Sequence, residues 1–387
     1  MGNKSKKFST KCVHEGEIKD TMYQGIVSPL FMSTTYPWFG GDDPEKKPYP
    51  RYFNTPNQEF LSKKIASLEN GEKALIFTSG MAAISTSIMA NVKTGDHIVV
   101  QNDIYGGTRN FVLTEFDKFG IEYSFTDGLD PLNFSDQIKD NTVGIYLETP
   151  SNPLLKIVDL KSLSSIAKDN GLWTMIDNTF SSPVNQNPID HGIDIVLHSA
   201  TKYLGGHSDI SAGAVISTES RIEQILNSAK NFGGNLSDYT VWLLERSIKT
   251  LHIRVKEQTN NAKTLAKMLD ENTNISKVYY PGLESHPSHE IAKSQMNDFG
   301  GMMSFDLNNN VDVYDFLKSL NLVKPGMSLA GVETTVNFPM KTSHGLMTQK
   351  ERDIQGIGDK LIRLSVGIES YEDIYEDLDQ AIKSSIK

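Results

Sequence analysis

The 387-residue sequence predicts an α/β protein built on a mostly parallel sheet covered on both faces. Two observations carry that prediction. Through the middle of the chain one pattern repeats: a short apolar run, a turn of small or polar residues, then a helix-like segment. Several of those runs are continuously apolar instead of alternating, as a strand buried on both faces requires.

Residues 1–60 carry Pro29, Pro37, Pro44, Pro48, Pro50 and Pro56 with few periodic segments. That texture describes an extended arm, which in a compact protein lies on other structure, a neighbouring subunit being one support. The predicted strands of the second region, 61–240, are Ala74–Phe77, His97–Val100, Val143–Leu147, Trp173–Ile176, Asp194–Leu197 and Ala212–Ile216. The stretch Ala74–Val92 has no charge and approaches the length of a bilayer span. Its Thr78, Ser79, Gly80, Ser85, Thr86, Ser87 and Asn91 favour a buried strand, turn and helix instead. The third region, 241–387, opens with a long polar helical segment, Val241–Leu269, and continues into shorter strands, Gly301–Leu307 and Leu361–Val366. A smaller C-terminal α+β domain follows from that change.

A formal charge of −10 excludes a protein built to coat nucleic acid or an anionic membrane, which needs a dominant basic surface. Small-molecule chemistry is the expectation. Cys12 is the single cysteine, so neither an intramolecular disulfide nor a cysteine-based metal site is expected, and a cytoplasmic location suits the chain. Met1–Lys11 is basic and polar with no apolar core behind it, unlike a secretory signal. Gly2 is present, but Lys6 stands where myristoylation needs Ser or Thr.

In an open parallel sheet ligands bind beyond the carboxyl ends of the strands, so the residues that follow each apolar run are the informative ones. Thr78-Ser79-Gly80-Met81 precedes a helix, whose free N–H groups can hold a phosphate; a tight turn and cap is the plainer reading. Asp103-Ile104-Tyr105-Gly106-Gly107-Thr108 sets a ring on a glycine turn, suited to stacking on a planar ligand or to structural burial. Glu148-Thr149-Pro150-Ser151-Asn152-Pro153 holds a carboxylate and a carboxamide in a turn that proline alone would explain. Asp177 closes a buried run, where a carboxylate costs several kcal/mol unless it is paired, and a pyridinium nitrogen would pair it. His198-Ser199-Ala200-Thr201-Lys202 brings an amine that can condense with an aldehyde beside hydroxyls that can hold a phosphate. Arg363 lies inside an apolar strand and calls for a planar anion, a substrate carboxylate or a structural acid.

Other chemistries lack their fingerprints. Neither GxGxxG after a strand, GxxxxGK[ST] nor GxSxG occurs. His286 and His289 flank Pro287-Ser288, which reads as a surface loop and not as a metal pair, and no metal is expected.

Together these segments resemble the transsulfuration, or cysteine/methionine-metabolism, family of fold-type I pyridoxal-phosphate enzymes, which includes cystathionine γ-synthase, γ-lyase and β-lyase and methionine γ-lyase. The motifs are Tyr49-x-Arg51, Ser79-Gly80-Met81, Tyr105-Gly106-Gly107-Thr108, Glu148-Thr149-Pro150, Asp177-Asn178-Thr179, Ser199-Ala200-Thr201-Lys202, Ser328-Leu329 and Arg363-Leu364-Ser365-Val366-Gly367. They extend from about Val13 to the C-terminal region. The resemblance implies an aspartate-aminotransferase-like fold with a seven-stranded sheet, and pyridoxal 5'-phosphate as cofactor. It implies that Lys202 is the Schiff-base lysine and the base at Cα, and that Asp177 partners the pyridine nitrogen. Gly80, Met81, Ser199 and Thr201 would form the phosphate cradle, with Glu148 in the cofactor pocket. Tyr105 would stack on the cofactor and assist proton transfer, while Asn152, Ser328 and Arg363 orient the cofactor oxygen and the substrate carboxylate. Tyr49 and Arg51 would serve the adjacent subunit of a homotetramer, with Tyr49 also near substrate.

Two positions depart from the family pattern. Asn54-Thr55-Pro56 replaces Asn-Pro-Thr, and Ala330 stands where glycine follows Ser-Leu. Pro48, Asn110 and Met327 occupy places that are often charged in members that cleave cystathionine at Cγ. That less charged pocket leaves methionine, homocysteine or an activated homoserine ester open as substrates. The expected activity is a carbon–sulfur lyase acting on cystathionine or a related sulfur amino acid. A γ-replacement synthase is the alternative, ahead of an aminotransferase or a non-catalytic homologue.

Overall fold

The computed structural model describes residues 6–40, 47–126, 130–345 and 347–387, so Gly2 and Pro44 of the sequence reading lie outside it. The larger sheet holds β1 (Lys73–Phe77), β2 (His97–Gln101), β3 (Glu122–Thr126), β4 (Thr142–Glu148), β5 (Trp173–Asp177), β6 (Ile195–His198) and β7 (Gly213–Ser217). Its strand order is β1-β7-β6-β5-β4-β2-β3. Only β7 runs against its neighbours β1 and β6; the other pairs are parallel. The mostly parallel seven-stranded sheet is thus as expected, and all six predicted strands of this region are present within a residue or two.

The continuous apolar runs are explained by what covers them. Ile76, Val99, Ile145, Ile176, Val196 and Ile216 enter the core on one face, while Leu75, Val100, Tyr146, Met175, Leu197 and Val215 enter the core on the other. Side chains alternate faces along a strand, so a sheet with two cores makes nearly every central position apolar, the exception in β5 being Thr174, whose hydroxyl is satisfied by Asp194. The strand missed in the sequence, β3, is an edge strand whose residues are mostly half-exposed.

A smaller sheet holds β8 (Ile275–Tyr279), β9 (Met302–Leu307), β10 (Lys324–Pro325), β11 (Thr335–Asn337) and β12 (Leu361–Ser365), in the order β10-β11-β12-β9-β8. It packs with the Tyr371–Ser384 helix around a separate core that includes Phe305, Phe316, Leu364 and Leu378. The segment expected to be one polar helix, Val241–Leu269, is two, Asp238–Ile248 and Leu251–Asp270, separated at Lys249-Thr250. No glycine or proline marks that break in the sequence. Leu251–Asp270 contributes Leu251 and Val255 to the large-sheet core and Ala262, Leu265, Ala266 and Leu269 to the small-sheet core.

The helix Pro56–Leu68 crosses residue 60. Thr55 caps it through Gln58 N–H, Gln58 reaches back to Thr55 N–H, and Pro56 takes the first helical position. The departure Asn54-Thr55-Pro56 is therefore a capping box followed by a proline that needs no N–H. Along the arm, a short helix, Phe8–His14, is fixed from below by buried Lys64, whose Nζ donates to Cys12 O at 3.0 Å and Val13 O at 3.2 Å. Farther on, Met22, Tyr23, Ile26, Met32, Trp38 and Phe39 stay exposed.

His286 and His289 do not form the expected surface loop. His286 is buried and its Nδ1 accepts from Ser288 N, while His289 opens a short helix and stacks on Phe299 at 5.4 Å. Among the described residues there is no cluster of three metal-binding side chains, and no helix is long and apolar enough to cross a membrane.

Candidate active site

A cavity of about 220 Å³ opens at the carboxyl edge of the larger sheet. β1 leads to Gly80 and Met81, β2 to Tyr105, β4 to Glu148 and Asn152, β5 to Asp177, and β6 to Ser199, Thr201 and Lys202; all of these line the cavity. Arg363 reaches the same cavity from β12 of the smaller sheet. Ser328 joins them by accepting a hydrogen bond from Lys202 Nζ at 2.9 Å.

Local sequence explains each placement. Ser79 caps the helix Gly80–Ala90 by accepting from Ala82 N at 3.0 Å. The first-turn N–H groups of Gly80 and Met81 have no partner within the helix. Gly80 is required by contact, since a Cβ there would lie 2.8 Å from Ser199 Cβ. Ser199 N donates to Thr179 Oγ1 at 2.8 Å, and Thr201 Oγ1 exchanges hydrogen bonds with the backbone of Ala212. These contacts close the segment from which Lys202 projects.

Tyr105 is not on a flexible glycine turn. It is the N-cap of the helix Gly106–Phe119, and the glycines are its first residues. Both are tight: a Cβ on Gly107 would meet the Tyr105 ring at 2.5 Å, and one on Gly106 would meet Ser343 O at 2.5 Å.

The charges are buried and mutually tuned. Burial and the nearby Arg363 cation lower the Lys202 amine to about 8, with Asp177 opposing. Burial raises the Asp177 carboxyl, opposed by hydrogen bonds from Thr179, whose N–H donates to Oδ1 at 3.0 Å. Glu148 is raised well above the usual carboxylate range by burial and by the Asp177 charge, although Tyr105 N donates to its Oε2 at 2.8 Å. Burial brings Arg363 down to about 10; its Nη1 donates to Asn152 Oδ1 at 2.9 Å and its Nε is buried without a partner. A buried guanidinium with a free N–H beside a cavity is a ready receptor for a planar anion.

Tyr49 and Arg51 are not brought to this cavity. They line a separate groove with Tyr36, Trp38 and Tyr52, where Arg51 Nη1 donates to Lys230 O at 2.8 Å. Of Pro48, Asn110 and Met327, only Met327 lines the cavity. Ala330 keeps a left-handed backbone, φ +62, and donates its N–H to Ser365 Oγ at 2.6 Å, so the turn that follows Ser328 holds a glycine-like conformation without glycine.

Sequence reasoning gave no role to Thr179, Ser343 or Leu329, all of which line the cavity. Thr179 was visible beside Asp177 as the neighbour able to donate to it. Ser343 comes from an irregular segment with no periodic signal.

The family model for the Cys/Met metabolism PLP-dependent enzymes matches residues 9–383. The chain is 42% identical over 379 residues to a cystathionine beta-lyase of Lactococcus lactis subsp. cremoris (strain MG1363), covering 97% of this chain and 99% of that one. It is 40% identical over 379 residues to a cystathionine gamma-lyase of Bacillus subtilis (strain 168), covering 98% and 100%. The solved structure of cystathionine gamma-lyase from Lactobacillus plantarum complexed with L-serine superposes with a TM-score of 0.94 at 37% identity, covering 98% and 99%. The family model, the relatives and the solved structure agree, and the chain belongs to the Cys/Met metabolism family of pyridoxal-phosphate-dependent enzymes.

Proposed function

We propose that this enzyme is a carbon–sulfur lyase that eliminates the sulfur substituent from cystathionine or a related sulfur amino acid. The observation that carries the reading is a lysine amine lowered to about 8, facing a cavity between a buried carboxylate, Asp177, and a buried guanidinium with a free N–H, Arg363. The cavity fits the cofactor on its own chemistry. It offers an amine for an aldehyde, free helix N–H groups and two hydroxyls for a phosphate, a ring for stacking, and a carboxylate in need of an N–H partner.

Bound pyridoxal phosphate supplies an aldehyde for the amines and an electron-withdrawing ring for the substrate. On this reading Gly80, Met81, Ser199 and Thr201 hold the phosphate, Asp177 takes the ring N–H, and Tyr105 covers the ring face. Glu148 fixes the backbone of Tyr105. Arg363, Asn152 and Ser328 receive the substrate carboxylate and turn Cα toward Lys202. Lys202, whose amine burial and the Arg363 charge bring well below the usual lysine range, removes the Cα proton and can carry it onward, while the Tyr105 hydroxyl, at the open side, assists the departing sulfur.

The same reading makes residues 1–60 a subunit-contact arm, 61–240 the cofactor domain and 241–387 the smaller domain of a cytoplasmic homotetramer. Tyr49 and Arg51, away from their own cavity, would then serve a neighbour's phosphate, and Tyr49 its substrate. The exposed apolar side chains of the arm support this.

The test is to incubate the cofactor-loaded protein with cystathionine alone and identify the oxo acid by mass spectrometry. 2-Oxobutyrate reports γ-elimination and pyruvate reports β-elimination. Absence of both, with no oxo acid from methionine or homocysteine either, refutes the lyase reading, and turnover of an activated homoserine ester with a thiol would then identify a γ-replacement synthase.

A further inference from the structure

We infer that one buried polar face of the helix Leu251–Asp270, formed by Arg254, Gln258 and Asn261, positions the substrate-carboxylate groups against Lys202. The inference rests on the function proposed above.

The three side chains follow at intervals of four and three residues, so they share a face. Their exposures are 4%, 0% and 4%. Arg254 Nη1 donates to Tyr203 O at 3.0 Å, directly after Lys202. Gln258 Nε2 donates to Gly331 O at 2.7 Å, in the turn that follows Ser328. Asn261 Nδ2 donates to Glu369 O at 2.8 Å and Gly367 O at 3.2 Å, just beyond the strand that carries Arg363. Three segments distant in sequence, each bearing a site residue, therefore hang from one rigid element. The Lys202–Ser328 hydrogen bond spans two of them, with anchors one helical turn apart.

A set of merely satisfied polar groups would not be placed this way. The face lies where the helix passes from the large-sheet core to the small-sheet core, with Val255 in one and Ala262 in the other. Its first member is a buried cation whose donors go to uncharged oxygens, those of Tyr203, Ser247 and Thr250. Burying a guanidinium so is a weak device for stability compared with an apolar side chain of similar volume. The chain also makes way for it. Gly206 sits at φ +67, where a Cβ would lie 1.8 Å from Arg254 Nη1, and Gly206 N in turn donates to Lys202 O at 2.7 Å. What the arrangement provides is orientation: donors in fixed order along a helix set the spacing of three loops.

The test uses the holoenzyme and two variants. In Gln258→Met, which keeps the helix but drops the donor to Gly331 O, cofactor content and visible absorbance stay as in wild type. KM rises about tenfold, the scale of one lost buried hydrogen bond, while kcat changes less. Glycine, which has the amine and carboxylate but nothing to eliminate, binds about tenfold more weakly when followed by the absorbance of the bound cofactor. In Arg254→Lys, which loses the planar guanidinium that joins Tyr203 O to Ser247 O and Thr250 Oγ1, the pattern inverts: the cofactor dissociates about tenfold more readily and glycine binding to the loaded fraction changes little. A lowered Tm with KM and glycine affinity within twofold of wild type in Gln258→Met would overturn the inference. Should that variant not fold, Asn261→Ser is read by the same criteria. Glycine binding needs no turnover, so a failure of the lyase reading leaves this test intact.

Discussion

Arg363→Met removes the guanidinium and keeps an unbranched side chain of similar length inside β12. If Arg363 receives the substrate carboxylate through two charge-assisted hydrogen bonds, each contributing about 1.5 to 3 kcal/mol, the variant loses about 3 to 6 kcal/mol of binding in the substrate complex and the transition state. That corresponds to a fall in kcat/KM of about a hundredfold to ten-thousandfold. The loss should enter both KM and kcat, because the same contact that binds the carboxylate turns the adjacent Cα toward Lys202. Cofactor content should not change, since the phosphate and ring contacts come from other segments. A second readout is independent of turnover. The Arg363 charge is one cause of the lowered Lys202 amine, so in the cofactor-free variant that amine titrates above its wild-type value of about 8. Selective isotope labelling of the lysine amine and NMR titration measure it. A kcat/KM within tenfold of wild type, or an unmoved titration, would refute the reasoning.

Lys202 also makes a pH prediction for the cofactor-free protein. Its folded value, about 8, lies below the ordinary lysine value of 10.5, so between them the unfolded chain binds more protons and stability must rise with pH. Relative to Lys202→Met, wild type should gain up to about 3 kcal/mol across that window, seen in denaturant midpoints; a flat difference contradicts it. Lys202→Ala should abolish turnover of any sulfur amino acid, and wild-type activity would sink the assigned role. Asp177→Asn should lower kcat at least about a hundredfold, yet leave the cofactor-free Tm unchanged or higher, because burial already penalises the Asp177 carboxylate. Gly80→Ala forces a Cβ against Ser199 and should lower stability by about 1 to 3 kcal/mol and weaken cofactor retention, checked by urea unfolding and by dialysis.

The large sheet was legible because burial on both faces writes continuous apolar runs, and the site because each run ends in a polar residue at the same edge. Edge strand β3 failed to register although Tyr123 and Phe125 alternate with polar neighbours, since a five-residue half-exposed pattern is faint. The break between Ile248 and Leu251 was invisible for a different reason. It carries no helix-breaking residue, and Arg254, which holds Ser247 O and Thr250 Oγ1 across the break, is itself fixed by Tyr203 O, 51 residues earlier, which the local sequence does not show. The cavity residues Ser343 and Leu329 likewise arrive from loops placed by packing. Arg363 was readable as a cation in an apolar strand, but its partner Asn152 lies 211 residues earlier, and only the fold brings them to 2.9 Å.

The reversed direction of β7 has a consequence for how this enzyme tolerates insertions. Because β6 and β7 pair antiparallel, with Leu197 opposite Val215 and His198 opposite Ala214, the segment 199–212 that carries Lys202 is tethered to the sheet at both ends. Most other site segments are tied to the larger sheet at one end and run into a helix at the other, which can slide. One residue added within 199–212 has nowhere to go except outward, taking the amine with it, and one added within β7 exchanges its two core faces. Length variation should therefore gather in the surface loops and spare this one, making the spacing from His198 to Gly213 a more stringent marker of a working lysine than the identity of the residues between them.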